Sequence, residues 1–91
     1  MNKVHKIVLD YRATDYLLPK GAKPLSVAVQ RGGICLWYSF DPGIPTKAIQ
    51  RFYIVGTGHQ EVDPKWVFIG TVLLSNDNLV LHIFTEPSDG I

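Results

Sequence analysis

The stretch Leu25–Phe40 constrains the fold most. Leu25, Val27 and Val29 alternate with Ser26, Ala28 and Gln30, the mark of a strand buried on one face. Arg31-Gly32-Gly33 follows as a tight connection in which glycine is free to take positive φ. The chain then returns as Ile34–Phe40, apolar on both faces: Ile34, Leu36, Tyr38 and Phe40 on one, Cys35 and Trp37 on the other. A strand of that kind must be covered twice, inside a barrel or sandwich or against another subunit.

The remaining segments repeat the theme. Val4–Asp10 is β-rich; a helix is its rival, because Val4, Val8, Tyr11 and Tyr16 have partial helical spacing, but no capping residue precedes it. Asp15–Pro19 is a short extended piece stopped by its proline. Lys20–Pro24 is a turn, and Asp41–Thr46 is a loop with two prolines. Ala48–Val55, Lys65–Ser75 and Leu79–Thr85 read as further strands, with Ser75–Asn78 as a hairpin turn. Gly70 inside a strand marks a bulge, a bend or the close approach of a neighbour. The expectation is one all-β domain over residues 1–91: a small antiparallel barrel or sandwich of six to seven strands, a meander over residues 25–85, and residues 85–91 as a flexible tail.

Composition narrows the function classes. Nine basic and eight acidic residues give a net charge of +1, and the basic ones are scattered, which argues against nucleic acid as partner. A single cysteine, Cys35, excludes an internal disulfide and reads as a small core residue. The N-terminal residues have no long apolar stretch, and nothing approaches the roughly 18 apolar residues of a spanning helix, so the expectation is a soluble, cytoplasmic protein without membrane contact. The apolar surplus points to a homo-oligomer.

Chemistry has few places to sit. In Gly56-Thr57-Gly58-His59, backbone N–H groups could converge on an anion, Thr57 could add a hydrogen bond and His59 a charge; the competing reading is a turn that needs positive φ. The motif lacks a lysine and a following helix, so it is no P-loop, and nothing calls for a cofactor. His82 points away from Leu79, Leu81 and Ile83, alongside Val80 and Phe84, and reads as packed at an interface or satisfied within its sheet. A metal site would need His5, His59 and His82 to meet a carboxylate. The carboxylates fall mostly at strand ends and turns; Glu61 or Asp63 beside His59 would make an acid–base couple. Arg51 and Trp37 stand out as a pair suited to planar anions or proteins, against an ordinary cross-strand pair. A short echo links Val55-Gly56-Thr57 with Ile69-Gly70-Thr71, too small to be a repeat.

Taken in order, these motifs carry a resemblance. Leu18–Ala22 (LPKGA), Leu25–Gln30, Cys35–Trp37 with Asp41, Arg51-Phe52, Gly56–His59 (GTGH), Phe68–Thr71 and Leu79–Phe84 resemble a family of short phage or prophage proteins of uncharacterised function. The chain departs from it in Phe40 before Asp41 and in the tail after Phe84. The resemblance implies a phage accessory protein in the host bacterial cytoplasm and transfers no catalytic residues. By analogy with small phage proteins, it implies a non-enzymatic binding protein that counters host defence by occluding a host protein or sequestering a nucleotide signal. For a nucleotide, Gly56, Thr57, Gly58 and His59 would hold the phosphates, Arg51 would supply charge and Trp37 stacking. The alternative is a structural or virion-associated β-domain acting through self-assembly. An enzyme would need His59 beside a carboxylate or metal.

Overall fold

The computed structural model describes residues 1–58, 61–76 and 78–87. Seven strands and no helix are present among them: β1 (Lys3–Leu9), β2 (Asp15–Pro19), β3 (Lys23–Gln30), β4 (Gly33–Phe40), β5 (Lys47–Gly56), β6 (Val67–Leu74) and β7 (Leu79–Thr85). They form two antiparallel sheets, β1-β4-β3 and β2-β5-β7-β6. The all-β sandwich is therefore what this sequence makes, and the barrel is not. The ladder stops between β3 and β6, which touch without joining. Pro24 removes a donor from β3, and Leu25 is an extra residue where the register shifts between Pro24 and Ser26.

Strand alternation produces the core directly. Ile7 and Leu9 from β1, Ile34, Leu36 and Tyr38 from β4, and Val27 and Val29 from β3 face Leu18, Phe52, Ile54, Val72, Leu74, Leu81 and Ile83 of the other sheet. Leu36, Phe52 and Ile83 are fully buried. Each such side chain contributes about 1.5–3 kcal/mol relative to exposure. Tyr16, packed edge-on against Phe52, uses its hydroxyl to accept from the Asp10 amide at 2.8 Å and so ties the β1–β2 loop to the core.

The turns follow their residues. Gln30 pairs with Gly33, leaving Arg31 (φ 51°) and Gly32 (φ 77°) as the two positive-φ residues that match the twist of a two-residue hairpin. Asp10, Asp41 and Asp63 each accept a backbone N–H two residues on, from Arg12, Gly43 and Lys65, as turn-building aspartates do. Gly70 meets two of its three sequence expectations, the bulge and the close approach. The register of β6 shifts between Phe68 and Gly70, and a Cβ on Gly70 would lie 2.7 Å from Val27 Cγ2, the contact that closes β3 onto β6.

The meander is not realised. β3–β4 and β6–β7 are hairpins, but β5 lies between β2 and β7, and β7 separates it from β6. The loop with Pro42 and Pro45 carries the chain from one sheet to the other, and the connection from Gly56 to Val67 is long enough to leave a slot that β7 fills. The tail expected at 85–91 begins with two anchored residues. Thr85 is buried and donates to the Arg51 carbonyl at 2.7 Å, and Glu86 engages β5; residues 88–91 lie outside the described residues.

Candidate functional site

The outer face of the four-stranded sheet concentrates the chemistry. Because Phe52 and Ile54 point inward, Arg51, Tyr53 and Val55 point out, and the register sets Asp15 opposite Arg51, Phe84 opposite Tyr53 and His82 opposite Val55. Arg51 Nε donates to Asp15 Oδ1 at 3.1 Å, and its Nη1 lies 3.6 Å from Glu86 Oε1. The Tyr53 hydroxyl donates to that same Glu86 oxygen at 2.5 Å. The bond and charge of Asp15, then Glu86, hold the Arg51 guanidinium protonated even more firmly than usual. The bond to Glu86, followed by burial, raises the Tyr53 hydroxyl above its ordinary value.

An aromatic layer covers the same face. Trp66 stacks on Tyr53 with ring centroids 3.9 Å apart and planes 8° from parallel. Phe84 packs beside Trp66, and Phe68 meets Phe84 edge-on at 5.5 Å. Trp66 comes from outside the strands. Asp63 and Pro64 build the turn whose Asp63 carbonyl accepts from the Trp66 amide at 2.9 Å, and that turn delivers the indole onto Tyr53. Leu17, Ile49 and Phe68 extend the layer as exposed apolar side chains, Leu17 opposite Ile49 in register.

Around Ile49, Arg51, Phe68 and Glu86 the face opens into a cleft of about 940 Å³ at the mouth of the sandwich. Its far wall is the connection from β2 to β3, which contributes Lys20, and the start of β3, which contributes Lys23. Neither lysine makes an ion pair among the described residues.

The glycine corner lies at the other end of β5. Gly58 has φ 76° with open space where a Cβ would go, so backbone conformation alone requires glycine there. Thr57 and Gly58 are exposed. The Thr57 hydroxyl is already bonded to His82 Nε2 at 2.8 Å, while Thr71 holds Nδ1 at 2.9 Å. The echo in the sequence thus has a structural meaning. Its two copies flank β7 from either side, and their threonines clasp one histidine. Since a hydroxyl can donate or accept, both neutral tautomers of His82 are matched.

The residues singled out from sequence are not brought together. Arg51 lies on the outer face of the four-stranded sheet, paired across strands with Asp15. Trp37 lies on the outer face of the three-stranded sheet, between Lys6 and Ser26, pointing the opposite way. Gly56, Thr57 and Gly58 lie at the end of β5, separated from Arg51 by half the length of that strand, and His59 lies outside the described residues. His5 and His82 belong to different sheets, and among the described residues no three His, Cys, Asp or Glu side chains are placed to hold a metal. Tyr53, Trp66, Phe84 and Glu86 were not singled out. The Asp63-Pro64 turn and the alternation around Phe52 and Ile83 were the signals for them.

Fold and surface together define a small two-sheet β-domain with an aromatic, charge-bridged outer face. The chain belongs to the family Domain of unknown function (DUF7352), matched over residues 1–90. No curated protein and no solved structure matches it. Among the described residues no helix is long and apolar enough to cross a membrane.

Proposed function

We propose that this chain is a non-enzymatic binding protein that occludes another protein through the outer face of its four-stranded sheet. The observation that carries the reading is Arg51, fixed between Asp15 and Glu86 amid exposed Leu17, Ile49 and Phe68. An immobilised arginine among apolar and aromatic side chains is the composition of a protein-recognition centre. The cleft with Lys20 and Lys23 beside it favours an acidic segment in the partner. A protein suits this surface better than a nucleotide, since the tryptophan meant for stacking faces away from the arginine and the Thr57 hydroxyl is engaged by His82. The setting, a phage or prophage accessory protein acting in a bacterial cytoplasm against host defence, rests on the resemblance of the LPKGA and GTGH segments and their neighbours.

The test is affinity capture from bacterial lysate with the wild-type chain and with Ile49→Ser and Phe68→Asp, followed by reconstitution with the purified captured protein. A stoichiometric complex weakened about tenfold or more by either variant is expected for central interface residues. Equal binding by wild type and both variants overturns the reading. So does self-assembly in place of any hetero-complex, the outcome a virion-associated structural domain would give.

A further inference from the structure

The two sheets expose four edge strands, and three are blunted. β2 has five residues and ends in Pro19. β3 carries Pro24 and a register shift, and β6 carries another; the two also pack against each other at Val27 and Gly70. Prolines, bulges, short length and coverage are the devices that keep an edge from recruiting another strand. β1 has none of them. Its seven residues pair with β4 from Lys3 opposite Phe40 to Leu9 opposite Ile34 without a shift, and its other side is bonded to no strand among the described residues.

A lysine in mid-edge is the remaining guard, and here it is drawn away. Lys6 Nζ reaches back across β4 to Gln30 Oε1 at 2.9 Å. Val4 and Val8 on either side of it are 56% and 59% exposed, too open to be explained by this chain's own core.

We propose that β1 pairs antiparallel with β1 of a second copy, joining two three-stranded sheets into one of six strands. The occupant is a second copy because the strand complements itself. In a two-fold antiparallel pair, opposite residues share a face, so pairing centred on Lys6 sets Val4 opposite the second copy's Val8 and His5 opposite its Ile7. The same register sets Lys3 opposite the second copy's Leu9, at the two ends of the ribbon. The two Lys6 ammonium groups, each bound to its own Gln30, leave the axis free. A ribbon of seven residues a side is small beside the roughly 800 Å² per partner of a standard interface, so the dimer is reversible and concentration-dependent. It is independent of the binding surface proposed above, which lies on the other sheet.

Sedimentation velocity from low micromolar to several hundred micromolar protein, with amide exchange at both ends of the range, tests it. The expected result is a monomer–dimer equilibrium in which β1 amides slow as dimer forms and β2 amides do not. Val4→Lys, at an exposed position, weakens dimerisation about tenfold by removing two apolar cross-strand pairs and adding like charge. Leu73→Lys, exposed on the other sheet, leaves it unchanged. A wild-type chain that stays monomeric throughout overturns the proposal, including the case in which another protein's strand occupies the edge. So does a dimer whose β1 amides gain no protection, or one lost on Leu73→Lys and kept on Val4→Lys.

Discussion

The outer faces of the two sheets solve one problem in two ways. Each central strand carries apolar side chains on its second face: Cys35 and Trp37 on β4, Phe84 and Val55 on β7 and β5. On the three-stranded sheet the cover is local. Cys35 pairs with Val8 and Ala28, and the Lys6–Gln30 hydrogen bond passes diagonally over it, so the thiol is only 2% exposed outside the main core. Lysine's methylene stem does the covering while its ammonium stays wet. On the four-stranded sheet the cover is imported: Trp66 arrives from a loop, and the aromatic layer runs on past it into exposed Ile49 and Phe68. A small domain with two-faced strands can thus seal one face with a single long side chain, whereas a face sealed by rings has apolar surface to spare for a partner.

Removing the imported cover gives the largest effect. Trp66→Ala deletes the stack on Tyr53 and opens Phe84, and the expected loss is roughly 2–3 kcal/mol in urea unfolding, below the cost for a fully buried tryptophan because Trp66 is half-buried. Trp66→Phe recovers much of it. If Trp66→Ala costs no more than an exposed substitution, the two faces are covered alike and the contrast fails.

Much of the contrast was legible in the chain, and the reason it was not fully so is physical. The strands and hairpin turns are set by near neighbours: alternation, Arg31-Gly32, the aspartate turns, and Gly70 with its bulge. Which face a side chain takes within its strand was equally readable, as with His82 beside Phe84. Sheet membership was not, because it depends on pairings distant along the chain: β5 chooses β2 and β7, and Arg51 finds Asp15 thirty-six residues away. Trp37 and Arg51 looked like partners because alternation reports a face without saying to which sheet it belongs. Trp66 went unremarked because its role comes from the Asp63-Pro64 turn that aims it.

Tyr53 sharpens the comparison through pH. Its proton is held more tightly when folded, chiefly by the bond to Glu86, so the folded-state value lies above the unfolded one. The stability from this bond is complete below the unfolded value near 10 and is lost as pH rises through the raised folded value, where phenolate would face carboxylate. Phenolate absorbance should show a late-titrating tyrosine in wild type that is missing in Tyr53→Phe. The variant should lose about 1 kcal/mol at neutral pH and have a flatter alkaline stability profile. A profile identical to wild type would detach the aromatic layer from the Arg51 network.

A smaller effect is expected at the threonine clasp. His82→Ala returns two exposed hydroxyls to water, a cost of roughly 0.5–1 kcal/mol. The sharper readout is amide exchange. The Gly56–Gly58 turn should exchange faster because Thr57 loses its anchor, while the amides of the three-stranded sheet stay as they were. Acceleration in both sheets would mean that His82 supports the whole sandwich and not its own face.

The smallest change in stability accompanies the most local change in exposure. Lys6→Ala should cost below about 0.5 kcal/mol, as exposed substitutions do, yet it removes the stem that lies over Cys35. In wild type, a thiol reagent reaches Cys35 only when the sheet opens, so labelling should accelerate with sub-denaturing urea. In Lys6→Ala the thiol is reached from the folded state, so the rate should be higher and nearly independent of urea. Gln30→Ala should behave in the same way, since an untethered Lys6 swings to solvent. If both variants keep the slow, urea-dependent labelling of wild type, then Val8 and Ala28 alone bury the cysteine, and the face described as strapped is sealed by its backbone neighbours.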